Sequence, residues 1–137
     1  MPEQVKFELV SPERLLLSEE VDSVVIPGAE GDFGVLPGHS RLISTIRPGV
    51  ITVFDGGRVS ERIFVEGGFA EVTPRGCTVL AERATPVAEI SREQAAQAVQ
   101  DAKEDIEDSK DEASKAAAAK TLAVAEARLR AVEAPAY

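Results

Sequence analysis

The period of apolar and polar positions changes once along the sequence, near Val87. Before it, the runs VKFELV, RLLLSE, VDSVVIP, VITVFD, RIFVEGG, FAEVTP and CTVLAE are short, apolar or β-branched, which predicts strands. Between them lie PGAEGD, LPGH, RPG, DGG, EGG and PRG, rich in the residues that make turns. All ten glycines and seven of the eight prolines precede Val87. Asp55-Gly56-Gly57 between two strand-like runs predicts a tight hairpin, because glycine supplies the positive φ that such turns need. Glu66 and Glu71 alternate with apolar residues around GGFA, the pattern of strands with one wet face. Closely spaced short strands predict an antiparallel sandwich or barrel.

After Val87 the spacing is helical. Ser91 and Gln94 fit a capping box, and Ala95, Ala98, Val99, Ala102 and Ile106 share one face. DSKD interrupts this helix, and Ser109 with Glu112 predicts a second capping box. The second helix carries Leu122, Ala125, Leu129 and Val132 on one face and ends before Pro135. A short loop between two helices predicts an antiparallel hairpin. The fold expected is α+β, with a β domain over residues 1–87 and a helical hairpin over 88–137. Alanine dominates the helical stripes. It has the best helix propensity, but a buried methyl gains far less than a buried leucine at about 25 cal/mol per Å². A rigid β platform with a loosely held helical arm follows.

Composition narrows the function. Aromatics are 4% of residues and tryptophan is absent, which disfavours nucleic-acid binding by base stacking. The net charge of −9 disfavours a broad phosphate-binding face. Charge is divided along the helices: residues 89–112 carry net −6 and residues 113–137 net +2. The basic residues of the second helix, Lys115, Lys120, Arg128 and Arg130, can pair with the first helix or meet an acidic partner surface. The single cysteine, Cys77, cannot form an intrachain disulfide or a cysteine-rich metal site and is expected to be a buried strand residue. The start MPEQVKFELV lacks signal-peptide features and no apolar run reaches membrane-spanning length, so a soluble cytosolic protein is expected.

The densest turn region, Ile26 to Leu42 (IPGAEGDFGVLPGHSRL), contains four glycines, two prolines and the only histidine. Its glycine spacing matches neither GxGxxG nor a Walker loop. His39 has no recognisable nucleophile and orienting acid, and Ser40 lacks the G-x-S-x-G frame. The acids Glu19, Glu20, Asp22, Glu30 and Asp32 are read as solvated turn residues. No catalytic residue, metal site or cofactor is expected, and the stretch reads as a contact loop.

In order, FELVSPERLLLSEEVDSVVIPG, IPGAEGDFGVLPGHSRLISTIRPGVITV and FVEGGFAEVTPRGCTVLAE, followed by a helical hairpin, resemble the epsilon subunit of bacterial F-type ATP synthases. The resemblance runs along essentially the whole sequence. It implies a ten-stranded antiparallel β-sandwich followed by two helices. It also implies a rotor subunit of the central stalk, bound to gamma and to the c-ring, that couples proton-driven rotation to the catalytic head. The helices of such a subunit can extend along gamma, reach the alpha/beta head and block ATP hydrolysis; Lys115, Lys120, Arg128 and Arg130 are the candidate regulatory residues. Ser11, Gly38, His39 and Ser40 match positions near gamma, and Asp32 matches an acidic position facing the polar loop of c. The resemblance implies a peripheral place on the cytoplasmic side of the bacterial inner membrane, with membrane association only through the complex.

One motif departs from the family. Some members bind ATP through I/L-D-x-x-R-A at the first helix; here the stretch is ISREQA, with Ile90 retained, Ser91 at the Asp position and Gln94 at the Arg position. The loss of a carboxylate and a guanidinium removes the strongest hydrogen-bonding groups, so no tight nucleotide binding is expected. The rival reading is a free-standing β-sandwich adaptor with a helical protein-binding arm.

Overall fold

A computed structural model of the protein describes residues 4–134 and 137. Ten strands come first: β1 (Val5–Val10), β2 (Leu15–Val21), β3 (Ser23–Gly28), β4 (Gly31–Val35), β5 (Leu42–Ile46), β6 (Gly49–Asp55), β7 (Arg58–Val65), β8 (Gly68–Thr73), β9 (Gly76–Ala81) and β10 (Ala84–Pro86). A 3₁₀ turn over Val87–Glu89 leads to α1 (Arg92–Asp108) and α2 (Glu112–Glu133). The protein divides into two compact units, one of residues up to Pro86 together with Tyr137, the other from Val87 onward.

In the first unit, the strands run β10-β7-β6-β3-β5-β8-β9-β1-β2, with β4 paired to β3. Only one residue pair, Gly28 and Ile46, joins β3 to β5. The path therefore folds at this corner into two layers whose apolar faces meet. Alternation sets the faces: in β9, Cys77, Val79 and Ala81 are buried while Thr78 and Leu80 are exposed. Phe7, Phe64, Leu9, Ile26 and Ile51 are the largest fully buried side chains. The β6–β7 turn is the expected two-residue hairpin, with Gly56 at φ 65° and Gly57 at φ 77°. The Gly56 amide also donates to Asp22 at 2.8 Å, which ties this turn to the β2–β3 corner. Cys77 is buried as expected, and burial pushes its thiol up to about 12.

The sandwich is not wholly antiparallel. β1 pairs with β2 antiparallel but with β9 parallel, in the register Lys6↔Gly76 to Val10↔Leu80. Parallel neighbours need a long crossover, and seven strands intervene here. Gly76 makes this junction close: a Cβ there would lie 2.1 Å from the Lys6 carbonyl oxygen. The expected turn acids are also corrected. Asp32 lies in β4, opposite Pro27, and Glu19 and Glu20 lie in β2. The two-residue turn Ala29-Glu30 is enough to reverse the backbone, so ladder bonds claim the glycine-rich segment after it.

In the second unit, Ser91 caps α1 and accepts from the Gln94 amide at 3.3 Å. The second cap differs from the expected Ser109. Ser109 closes α1, its hydroxyl donating to the Asp105 carbonyl at 2.6 Å, and Asp111 caps α2 by accepting from the Ser114 amide at 2.7 Å. The carboxylate is the stronger acceptor for an uncapped amide, and these bonds hold Asp111 below the usual carboxylate range. The helices are antiparallel: Arg92, at the start of α1, donates to Glu133 Oε2, at the end of α2, at 2.6 and 3.1 Å. Ala95, Val99 and Ala102 are buried on α1, and Ala125, Ala127 and Ala131 on α2. Ala98 is exposed, while Ile106, Leu122, Leu129 and Val132 are half-buried. The second helix ends at Glu133, with Ala134 as its cap, before Pro135 as expected.

Candidate partner-binding surface

The expected gamma-contact residues lie at two ends of one sheet layer. Ser11 follows β1. Its hydroxyl donates to the Arg14 carbonyl and accepts from the Arg14 amide, both at 3.2 Å, so it shapes the β1–β2 turn. Gly38 takes φ 79° in the β4–β5 loop, and its amide donates to the Pro74 carbonyl at 3.2 Å. Pro74 belongs to the β8–β9 turn, which lies beside the start of β1 through the Lys6-to-Arg75 backbone bond. Ser11 and the Gly38–Ser40 loop are thus separated by the length of β1, about 17 Å at ~3.3 Å per residue.

His39 is half-buried. Its Nδ1 lies 2.6 Å from the Ser40 carbonyl oxygen. A carbonyl only accepts, so Nδ1 carries the hydrogen. This fixes the ring over its own loop, which is a shaping role. Among the described residues no group of three metal-ligating side chains is present.

Between these two ends runs a surface that the sequence pattern did not isolate. Phe69 faces Thr45 on one side and Leu80 on the other, and Leu80 faces Val10, which faces Leu15. Phe69, Leu80 and Leu15 are 55%, 44% and 53% exposed, and Ile43, two residues from Thr45 on the same face, is 72% exposed. The row leads from beside the Ser40 loop to beside the Ser11 turn. Each of these residues occupies an outward position of a strand, so water covers apolar side chains that alternation alone would make polar. Such contiguous exposure marks a contact surface more often than scattered single residues do. The signal was present as apolar residues at the wet positions of FAEVT and CTVLA, but it becomes a patch only once the register aligns them.

At the corner, Arg47 binds both sides of the β3–β4 hairpin. Its Nη1 donates to the Gly28 carbonyl at 2.6 Å and its Nη2 forms an ion pair with Asp32. Asp32 Oδ2 also accepts from the Tyr137 hydroxyl at 3.2 Å. Glu30, at the turn itself, is exposed.

A paired-carboxylate contact also escapes the sequence pattern. Glu19 of β2 and Glu61 of β7 hydrogen-bond across the layers. Glu61 Oε2 is shut off from solvent. The hydrogen bond to Glu19, then burial, then the Glu19 charge raise Glu61 to about 7.

In the helical unit, the degenerate nucleotide motif is occupied by structure. Ser91 is the α1 cap and the Ile90 amide donates to the Val87 carbonyl at 3.1 Å. Gln94 is exposed, and Arg92 beside it is engaged by Glu133. Lys115, Lys120, Arg128 and Arg130 do not share a face: at about 100° per residue they spread over more than half the circumference of α2.

Family comparisons agree with this architecture. Residues 4–87 match the model of the β-sandwich domain of the ATP synthase delta/epsilon chain, and residues 92–137 match that of the C-terminal domain of the ATP synthase epsilon chain. The protein belongs to the ATP synthase epsilon family. The ATP synthase epsilon chain of Rhodospirillum rubrum is 53% identical over 131 residues, spanning 96% of this chain and 98% of that one. That of Paramagnetospirillum magneticum is 53% identical over 132 residues, spanning 96% and 99%. Among solved structures, a chain of the Euglena gracilis mitochondrial ATP synthase (OSCP/F1/c-ring, rotational state 1) superposes with a TM-score of 0.87 at 29% identity, over 97% of this chain and 84% of that chain. A chain of the Tetrahymena thermophila central stalk and c-ring shares the fold at a TM-score of 0.67 and 16% identity, over 93% and 96%. As an epsilon-family member this is a stalk subunit of the F-type ATP synthase rotor. It works in association with other synthase subunits and has no catalytic site of its own. No described helix is long and apolar enough to cross a membrane.

Proposed function

We propose that the outer face of β5-β8-β9-β1-β2 is the gamma-binding surface of this epsilon-family protein and that the β3–β4 hairpin meets the c-ring. The observation that carries this reading is the exposed row Ile43, Phe69, Leu80 and Leu15, flanked by the Ser40 loop and the Ser11 turn. Burying its apolar area at about 25 cal/mol per Å² supplies the main free energy of the gamma contact. Ser11, Gly38, His39 and Ser40 border it and set register. Asp32, on the β3–β4 hairpin, meets the basic side of the polar c loop. Rigid contacts on both surfaces transmit torque, while the subunit itself does no chemistry. Through these partners it sits peripherally on the cytoplasmic side of a bacterial inner membrane.

Pull-down with the whole protein tests the reading. Wild type recovers gamma and c subunits. Phe69→Ser combined with Leu80→Ser loses gamma while the circular-dichroism spectrum stays native. Failure of wild type to recover either subunit at low salt supports the free-standing adaptor instead.

We also propose that 1–87 and 88–137 fold as separate domains, with 88–137 serving the catalytic head and regulation through Lys115, Lys120, Arg128 and Arg130. The stretch Ile90–Gln94 holds no nucleotide tightly, because its side chains serve the helix start. Millimolar ATP is expected to leave thermal melting unchanged; a micromolar dissociation constant would overturn this.

A further inference from the structure

Asp32 is not free at the hairpin. Arg47 engages Oδ1, and the Tyr137 hydroxyl engages Oδ2 at 3.2 Å. Tyr137 is fixed at two further points. Its ring stands edge-on to Phe54, with centroids 6.1 Å apart and planes at 83°. Its carbonyl oxygen accepts from Arg62 Nε at 3.1 Å and Nη2 at 2.5 Å. Asp32, Phe54 and Arg62 come from β4, β6 and β7, and Arg47 from the β5–β6 turn. The sandwich thus presents an acceptor, an aromatic edge and a guanidinium fork spaced to hold one tyrosine. Offset edge-to-face rings and charge-assisted hydrogen bonds are each favourable beyond simple burial.

We propose that Tyr137 is an intramolecular competitor for Asp32, so that a basic loop of the c-ring docks on this acid only when Tyr137 is displaced. The proposal rests on the reading of Asp32 as the ring contact. The chemistry is that of one acceptor with two claimants. Each oxygen of an ionised carboxylate can accept more than one hydrogen bond, so the competition is for access to Oδ2, which Arg47 leaves to the phenol hydroxyl. Partial burial, then the charge and hydrogen bond of Asp32, raise the Tyr137 phenol above its ordinary value of 10.0, with Arg47 opposing.

The sequence makes this testable, because Tyr137 is the single tyrosine and tryptophan is absent. Tyrosine emission and phenolate absorbance of the full-length protein therefore report this one site. Arg62→Ala and Asp32→Asn are each expected to make the emission resemble that of free tyrosine and to lower the phenol titration point. Arg58→Ala, a change at an exposed arginine of the same strand, is expected to leave both signals alone. Unchanged tyrosine signals in Arg62→Ala and Asp32→Asn overturn the proposal. The second measurement is binding of the detergent-solubilised c-ring to the protein assembled with gamma. Tyr137→Ala is expected to tighten it about fivefold, the equivalent of one ordinary hydrogen bond. Unchanged affinity in Tyr137→Ala overturns the competition even where Asp32→Ala weakens binding. If Asp32→Ala also has no effect, the ring-contact reading falls with it, whatever the tyrosine signals report.

Discussion

The two units solve the burial problem with different side chains. The sandwich closes two sheet layers over Phe7, Leu9, Ile26 and Ile51, all buried. The buried residues described in the hairpin are five alanines and Val99, with its leucines only half covered. Burial of a phenylalanine or isoleucine stabilises by about 1.5–3 kcal/mol, and an alanine methyl by a fraction of that. Helix propensity works the other way, since alanine favours the helix before any packing occurs. The sandwich therefore depends on contacts far apart in sequence, and the hairpin on local preference and its caps. Local opening is easiest where buried apolar contact is sparse. The comparison teaches that a rotor subunit can combine a stiff contact platform with helices that hold their own shape but grip weakly.

Substitutions in each unit sharpen this contrast. The largest effect is expected at Phe7→Ala, which removes a fully buried ring between the layers. A loss of about 3–5 kcal/mol in denaturant unfolding of the strands is expected. A loss below about 1 kcal/mol would show that the sandwich core is more yielding than its packing implies. In the helical unit, Val99→Ala removes the one buried side chain larger than alanine among the described residues. It should cost about 1–2 kcal/mol, read as faster hydrogen exchange of α1 and α2 amides. Strand amides should keep their protection; equal loss in both units would break the comparison.

The third test concerns pH. Glu61 titrates at about 7 in the folded protein against its ordinary 4.5, so between these values the native state holds the extra proton. The associated stability is fully present below pH 4.5 and is lost as pH rises through about 7. Glu61→Gln keeps a donor toward Glu19 and removes the titration. It should raise the strand melting temperature above pH 7 and flatten its pH dependence, leaving helical exchange unchanged. A wild-type melting curve that is already flat across this window would rule out the raised Glu61 titration. The smallest effect is expected at Arg92→Ala. Its ion pair with Glu133 is largely exposed, with side-chain exposures of 72% and 37%. A change of no more than about 0.5 kcal/mol in hairpin stability follows, less at high salt.

Much of this was legible in the sequence. The strand runs, the Gly56-Gly57 turn, the Ser91 cap and the buried Cys77 each rest on local chemistry that neighbours in sequence express fully. The misreadings have a common cause. β4 reads as a turn because Gly31, Asp32 and Gly34 have poor strand propensity, yet ladder bonds to β3 prevail. Ser109 reads as the second cap, but Asp111, two residues on, supplies a competing acceptor. Of the expected contact residues, Ser11 and His39 were legible only through family likeness, since each looks like an ordinary loop residue.

The alternation and periodicity of the residues alone determined a β half, a helical half and the absence of a recognisable catalytic constellation, because strand faces, helix faces and turns obey short-range rules. Tertiary structure decided what those rules leave open. It set β1 parallel to β9, aligned Phe69, Leu80 and Leu15 into one exposed row, and paired Glu19 with Glu61. It also gathered Asp32, Phe54 and Arg62 around Tyr137, with Arg47 on Asp32. Each of these joins residues distant in sequence, and only the register and closure of the sheet bring such residues within reach of one another.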